Sequence, residues 1–149
     1  MRRGRDDARD VQVQEHAFVR AVLRYAALVH GSGSESPECR RLASVLGDPQ
    51  VQCGASQRRW LRLAVRMAAT VKRSDVQGPA TVVDIGAGGL RLADHGGLAR
   101  RGTRTVVSLR PRHGTRVDVP CEVVHQNGDG TVGLRFCGAP LVMFERRAA

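Results

Sequence analysis

Within six short runs of this chain, apolar residues recur at every second position, and that period constrains the fold more than any other feature. The runs are Met67-Ala69-Val71, Thr81-Val83-Ile85, Leu90-Leu92, Thr105-Val107-Leu109, Val117-Val119-Cys121-Val123 and Val132-Leu134-Phe136. Successive side chains on a strand point to opposite faces, so each run predicts one buried and one wet face, the signature of antiparallel sheet. Turn-forming residues separate the runs: Asp75 to Pro79, Gly86 to Gly88, Gly96-Gly97, Arg112-His113-Gly114 and Asn127-Gly128-Asp129-Gly130. An open sheet of this size would leave unpaired edges, so the strands are expected to close into a six-stranded antiparallel barrel.

The N-terminal third has a different rhythm. Val11, Phe18, Val22, Tyr25 and Val29 fall at intervals of seven, four, three and four, which places them on one helical face. His30-Gly31-Ser32-Gly33-Ser34 ends that helix. Ser36 as N-cap and Pro37 at the first helical position open a second one, striped by Cys39, Leu42 and Leu46 and stopped by Gly47. Neither helix buries its stripe alone, so a hairpin docked on the barrel or on a partner is expected. The fold class is therefore α+β and mostly β: residues 1–10 frayed, 11–47 a helical hairpin, 48–57 a linker, 58–138 the barrel and 139–149 a tail.

Charge and composition narrow the function. The net charge of +10 favours an anionic partner. Lys72 is the only lysine, however, and with aromatics at 3% there are few platforms for stacking bases, so nucleic acid is not the expected partner. Cys39, Cys53, Cys121 and Cys137 form no CxxC pair and read as reduced, mostly buried thiols. The charged start leads into no apolar leader, and Ala17 to Val29, interrupted by Arg20 and Arg24, is too short to span a bilayer, so a cytoplasmic protein is expected. Its five histidines form no HExxH and have no metal-ligand spacing, and no GxSxG elbow occurs. The expectation is a binding protein, not an enzyme, with no metal and no cofactor.

Two segments carry chemistry. Gln57-Arg58-Arg59-Trp60-Leu61-Arg62 concentrates three guanidinium groups before the first strand, each able to grip phosphate bidentately. In Val82-Val83-Asp84-Ile85-Gly86-Ala87-Gly88-Gly89-Leu90, a carboxylate and a glycine-rich turn join two strands; Asp84 can accept from a guanine edge. Together they resemble the PilZ family of cyclic di-GMP receptors, whose pattern is RxxxR before the barrel and (D/N)xSxxG between its second and third strands. Arg58 and Arg62 fit the first part, with Arg59 in the frequent adjacent-Arg position, and Asp84 and Gly89 fit the second. Thr131 to Phe136 is similar to the family's closing strand.

The resemblance implies a bacterial receptor for cyclic di-GMP. Arg58 and Arg62 would clamp phosphates, Arg59 would assist, and Asp84 would hold a guanine edge beside the Gly86–Gly89 backbone. It also implies relay of the signal to a protein partner or second protomer, expected here through the helices at Phe18, Val22 and Tyr25. One departure stands out: Gly86 replaces the motif serine and removes a hydroxyl. A neutral hydrogen bond contributes about 0.5–1.5 kcal/mol, so serine at 86 should tighten binding if the turn admits a Cβ. The rival expectation is a degenerate adaptor of the same fold that binds protein and no nucleotide. Val83-Asp84-Ile85-Gly86-Ala87-Gly88 is also similar to the S-adenosylmethionine turn of Rossmann-type methyltransferases, but that motif needs a helix next, and Leu90 and Leu92 keep strand period.

Overall fold

The computed structural model describes residues 3–47, 59–112 and 115–144, with side chains from Glu15 onward except those of Arg112 and Phe144. Two helices, α1 (Arg3–His30) and α2 (Pro37–Leu46), precede seven strands. These are β1 (Arg62–Arg73), β2 (Val76–Gly86), β3 (Gly89–Ala93), β4 (Arg104–Arg112), β5 (Thr115–Gln126), β6 (Val132–Phe136) and β7 (Leu141–Phe144). The sheet order is β4-β1-β2-β3-β6-β5-β7, and pairing of β4 with β5 closes the first six strands into the expected antiparallel barrel.

Alternation builds the core. Val71, Val82, Leu92, Val107, Leu109, Val119 and Cys121 are all fully buried on its inner face. Burial pushes the Cys121 thiol far above its ordinary range, so it behaves as a small hydrophobe. The inward set on β2 differs from the expected Thr81-Val83-Ile85 stripe: Ala80, Val82 and Ile85 are buried, because the register slips between Val82 and Asp84. The first turn is also tighter than Asp75 to Pro79. Ser74 (φ 52°) and Asp75 alone make it, and Pro79 lies in β2 opposite Thr70. There β2 has no partner on its other side, since its pairing with β3 begins at Thr81, and a missing N–H costs nothing.

α1 begins at Arg3 and not near Val11. Its buried face is Val19, Val22, Leu23 and Ala26, rotated from the expected stripe, and it packs into the barrel core. Val22 is therefore inaccessible, Phe18 and Tyr25 are partly covered, and Val29 is exposed. The surface anticipated for a partner is spent on the protein itself.

Ser36 caps α2 by accepting from Cys39 N at 3.1 Å, with Pro37 next. Gly47 ends α2 in extended conformation (φ −67°, ψ 147°), without the left-handed turn a glycine stop usually makes. It pairs with Trp60 in a β-bridge, and Leu61 N donates to Leu46 O at 2.9 Å. The expected linker, residues 48–57, lies outside the described residues. Arg24 donates twice to Glu38, at 2.8 and 3.0 Å, and clasps α1 to α2. The stretch expected to be a tail contributes β7, which pairs with the half of β5 that β6 leaves open. Among the described residues, no helix is long and apolar enough to cross a membrane.

Candidate functional site

The β2–β3 hairpin and the start of β1 bring Arg62, Asp84, Gly86 and Gly89 together. Gly86 pairs with Gly89 across a two-residue turn of Ala87 and Gly88, and a strand follows where the methyltransferase motif requires a helix. Asp84 stands opposite Ala64 on β1 and Arg91 on β3, next to a register shift on each strand. Asp84 alternates with the inward Ile85 and so faces outward, yet stays 8% exposed, while the shift beyond it turns Val82 inward.

Two arginines face this carboxylate. Arg91 Nε lies 2.8 Å from Oδ2, in ionic contact but without hydrogen-bond alignment. Arg62 Nη1 lies 3.9 Å from Oδ1, too far for a hydrogen bond. Oδ1 therefore has no hydrogen-bond partner among the described residues, although it is shut off from solvent. An acceptor left this way costs about 1–3 kcal/mol. The Arg62 side chain is about half exposed.

Trp60 borders the turn. A Cβ on Gly88 would sit 3.2 Å from Trp60 Cδ1, so the indole lies against the turn. Tyr25 of α1 tilts against the same indole with ring centroids 5.2 Å apart, and the Arg59 guanidinium lies 4.8 Å from its centroid. That cation–π contact contributes about 0.5–1 kcal/mol. One aromatic residue thus touches the helical unit, the arginine segment and the glycine turn together.

The two motif glycines are fixed by close backbone approach. A Cβ at Gly89 would overlap the Leu134 carbonyl of β6. At Gly86 a Cβ would come within 2.6 Å of the Leu61 carbonyl oxygen, with φ at neither position in the left-handed region. The expectation that serine at 86 would tighten a ligand contact is thereby corrected: its Cβ would first push away the strand that carries Arg62.

The structure brings Arg62, Asp84, Gly86 and Gly89 into one neighbourhood, with Arg59 beyond Trp60. Arg58 lies outside the described residues. Sequence reasoning missed Arg91 and Trp60. The signal for Arg91 was available, because pairing Gly86 with Gly89 sets Ile85 opposite Leu90 and Arg91 opposite Asp84. Trp60 had no such signal, since its importance comes from Tyr25 and Gly88, both distant in sequence.

Comparison with known proteins follows this geometry. The PilZ domain matches residues 56–146. Among solved structures, the Bacillus subtilis inhibitor of motility MotI/DgrA superposes with a TM-score of 0.43 at 16% identity, over 56% of this chain and 44% of that one. The Borreliella burgdorferi PlzA protein in complex with c-di-GMP gives 0.42 at 14% identity, over 69% of this chain and 43% of that one. The chain thus spans less than half the length of either protein. Curated protein sequences give no match. The domain match covers more than half of the chain and includes both arginine and glycine motifs, and on that ground the chain belongs to the PilZ domain family.

Proposed function

We propose that this protein is a receptor for cyclic di-GMP and that Asp84 is the centre of its site. The observation that carries the reading is the unpartnered Oδ1 of Asp84, held under an arginine that is too far to bond it. Guanine presents two adjacent N–H donors on one edge, which is what a buried carboxylate oxygen lacks here. Arg62 guards that oxygen in the free protein. When a dianionic nucleotide arrives, Arg62 turns to its phosphate and stacks on a base plane, which uncovers Oδ1 for the guanine edge. Arg58 supplies the second phosphate clamp and Arg59 assists it. The Gly86–Gly89 backbone forms a flat floor.

The relay follows from Trp60. Ligand capture by Arg58, Arg59 and Arg62 pulls on the segment whose indole also holds Tyr25 of α1, so binding at the barrel shifts the balance of helix docking. Trp60 is the protein's single tryptophan and reports on this directly. Titration with cyclic di-GMP should change its emission saturably, GTP should not, and Arg62→Ala should weaken the response by about 1.5–3 kcal/mol, at least tenfold. No change in emission together with no binding by dialysis would exclude the receptor.

A second reading has its own observation. Arg91 already neutralises Asp84 at 2.8 Å, as expected if the carboxylate has become a structural ion pair in an adaptor that binds only protein. Arg91→Ala separates the two. In the receptor it frees Asp84 and tightens nucleotide binding; in the adaptor it destabilises the fold and creates no binding.

A further inference from the structure

Between α1 and the β5–β7 ribbon runs an open apolar groove of about 350 Å³, none of whose lining residues belongs to the Asp84 site. Leu23 and Ala27 form its helical wall, and Val117, Pro140 and Val142 its strand wall. Arg20 and Arg24 stand on the helical side. The groove exists because β7 continues the barrel's inner face past the point that α1 covers. Val142 pairs with Val117 and shares its face, yet Val142 is 53% exposed where Val117 is 3% exposed. Leu141 and Met143, on the other face of β7, are also exposed. Among the described residues β7 pairs with β5 alone, so its second edge offers free N–H and C=O groups.

Charge selects the occupant. Arg24 is engaged by Glu38, while Arg20 has no carboxylate partner among the described residues. A second copy would bring identical arginines against these, on a chain whose net charge is already +10. The chain's own last residues, Glu145-Arg146-Arg147-Ala148-Ala149, carry two arginines against one glutamate and match no better. We propose that the groove docks an extended acidic segment of a partner protein. That segment adds to the free edge of β7, seats alternate apolar side chains against Leu23 and Val142, and sets a carboxylate on Arg20. This inference does not depend on nucleotide binding.

The test is selection of short random peptides on the full chain, followed by affinity measurement against surface variants. Enriched peptides should alternate apolar residues and carry Asp or Glu. Val142→Asp should weaken them at least tenfold while leaving the circular dichroism spectrum and Tm unchanged. Arg20→Glu, at an exposed helical position, should lose the acidic peptides and gain their lysine-substituted counterparts, which a merely unfolded variant would not do. Basic or uncharged consensus peptides, equal binding to Val142→Asp, or failure to enrich any sequence would overturn the proposal. So would a concentration-dependent dimer abolished by Val142→Asp, which would assign the groove to a second copy.

Discussion

The β2–β3 hairpin and the β7 ribbon lie in one sheet and solve opposite problems. Around the hairpin the backbone is packed so closely that Gly86 and Gly89 cannot accept a Cβ without moving Leu61 or Leu134. Along β7 three consecutive large apolar residues stand in solvent. The hairpin holds a buried carboxylate short of a hydrogen bond, whereas the ribbon leaves apolar surface short of a cover. The first is an incomplete polar site on a rigid frame. The second is an incomplete apolar face on a short edge strand. Each lacks something different, so two kinds of partner are expected on one small fold, an anionic nucleotide and an acidic peptide.

Substitutions can break this contrast, and the hairpin should suffer most. Gly89→Ala forces a methyl group into the Leu134 carbonyl and should cost about 3 kcal/mol or more, read as a large fall in Tm. Gly86→Ser should cost about 1–3 kcal/mol in denaturant melts, because the Leu61 backbone has to yield. It should also weaken nucleotide binding, since the displaced strand carries Arg62. A stable Gly86→Ser variant that binds more tightly would mean the strand moves freely and the frame is softer than described.

Acid sharpens the other side of the comparison. The Arg24 clasp holds the Glu38 carboxyl below its ordinary range, mainly through the side-chain hydrogen bond. A depressed folded-state value contributes stability above the unfolded glutamate's value of about 4.3, lost as pH falls through the folded value. Glu38→Gln should therefore lower Tm slightly at pH 6, and the difference should shrink as acid titrates the carboxyl. Both groups are exposed, so the difference will be small and will shrink further with salt. The smallest effect belongs to β7: Val142→Asp should change stability by no more than about 0.5 kcal/mol, because that side chain is half in water. A large loss there would show the ribbon to be part of the core.

The sequence revealed the barrel because six strands carry one wet and one dry face, and alternation is visible residue by residue. It hid β7, whose Leu141-Val142-Met143-Phe144 is a short unbroken apolar run with no period to read. It misplaced the buried stripe of α1, because Tyr25 and Phe18 fit the helical period as well as Val19 and Ala26 do; only the barrel end decides which face turns in. At the site, Arg62, Asp84, Gly86 and Gly89 could be read from motif spacing. Arg91 could be read too, since it falls opposite Asp84 two residues out from the Gly86–Gly89 pair; the shift beyond Asp84 that turns Val82 inward could not, because it is a property of pairing between strands. The reason for Gly86 was likewise hidden, since it depends on where the Leu61 carbonyl lies.

The central claim is that Asp84 is held in reserve for a nucleotide. Isothermal calorimetry with cyclic di-GMP at low ionic strength tests it most directly, comparing the wild-type chain with Asp84→Ala. Wild type should bind exothermically and the variant should lose about 1.5–3 kcal/mol, because a charged hydrogen-bond acceptor has been removed. Binding that is unchanged by Asp84→Ala, or no heat from a folded wild-type protein, would contradict it.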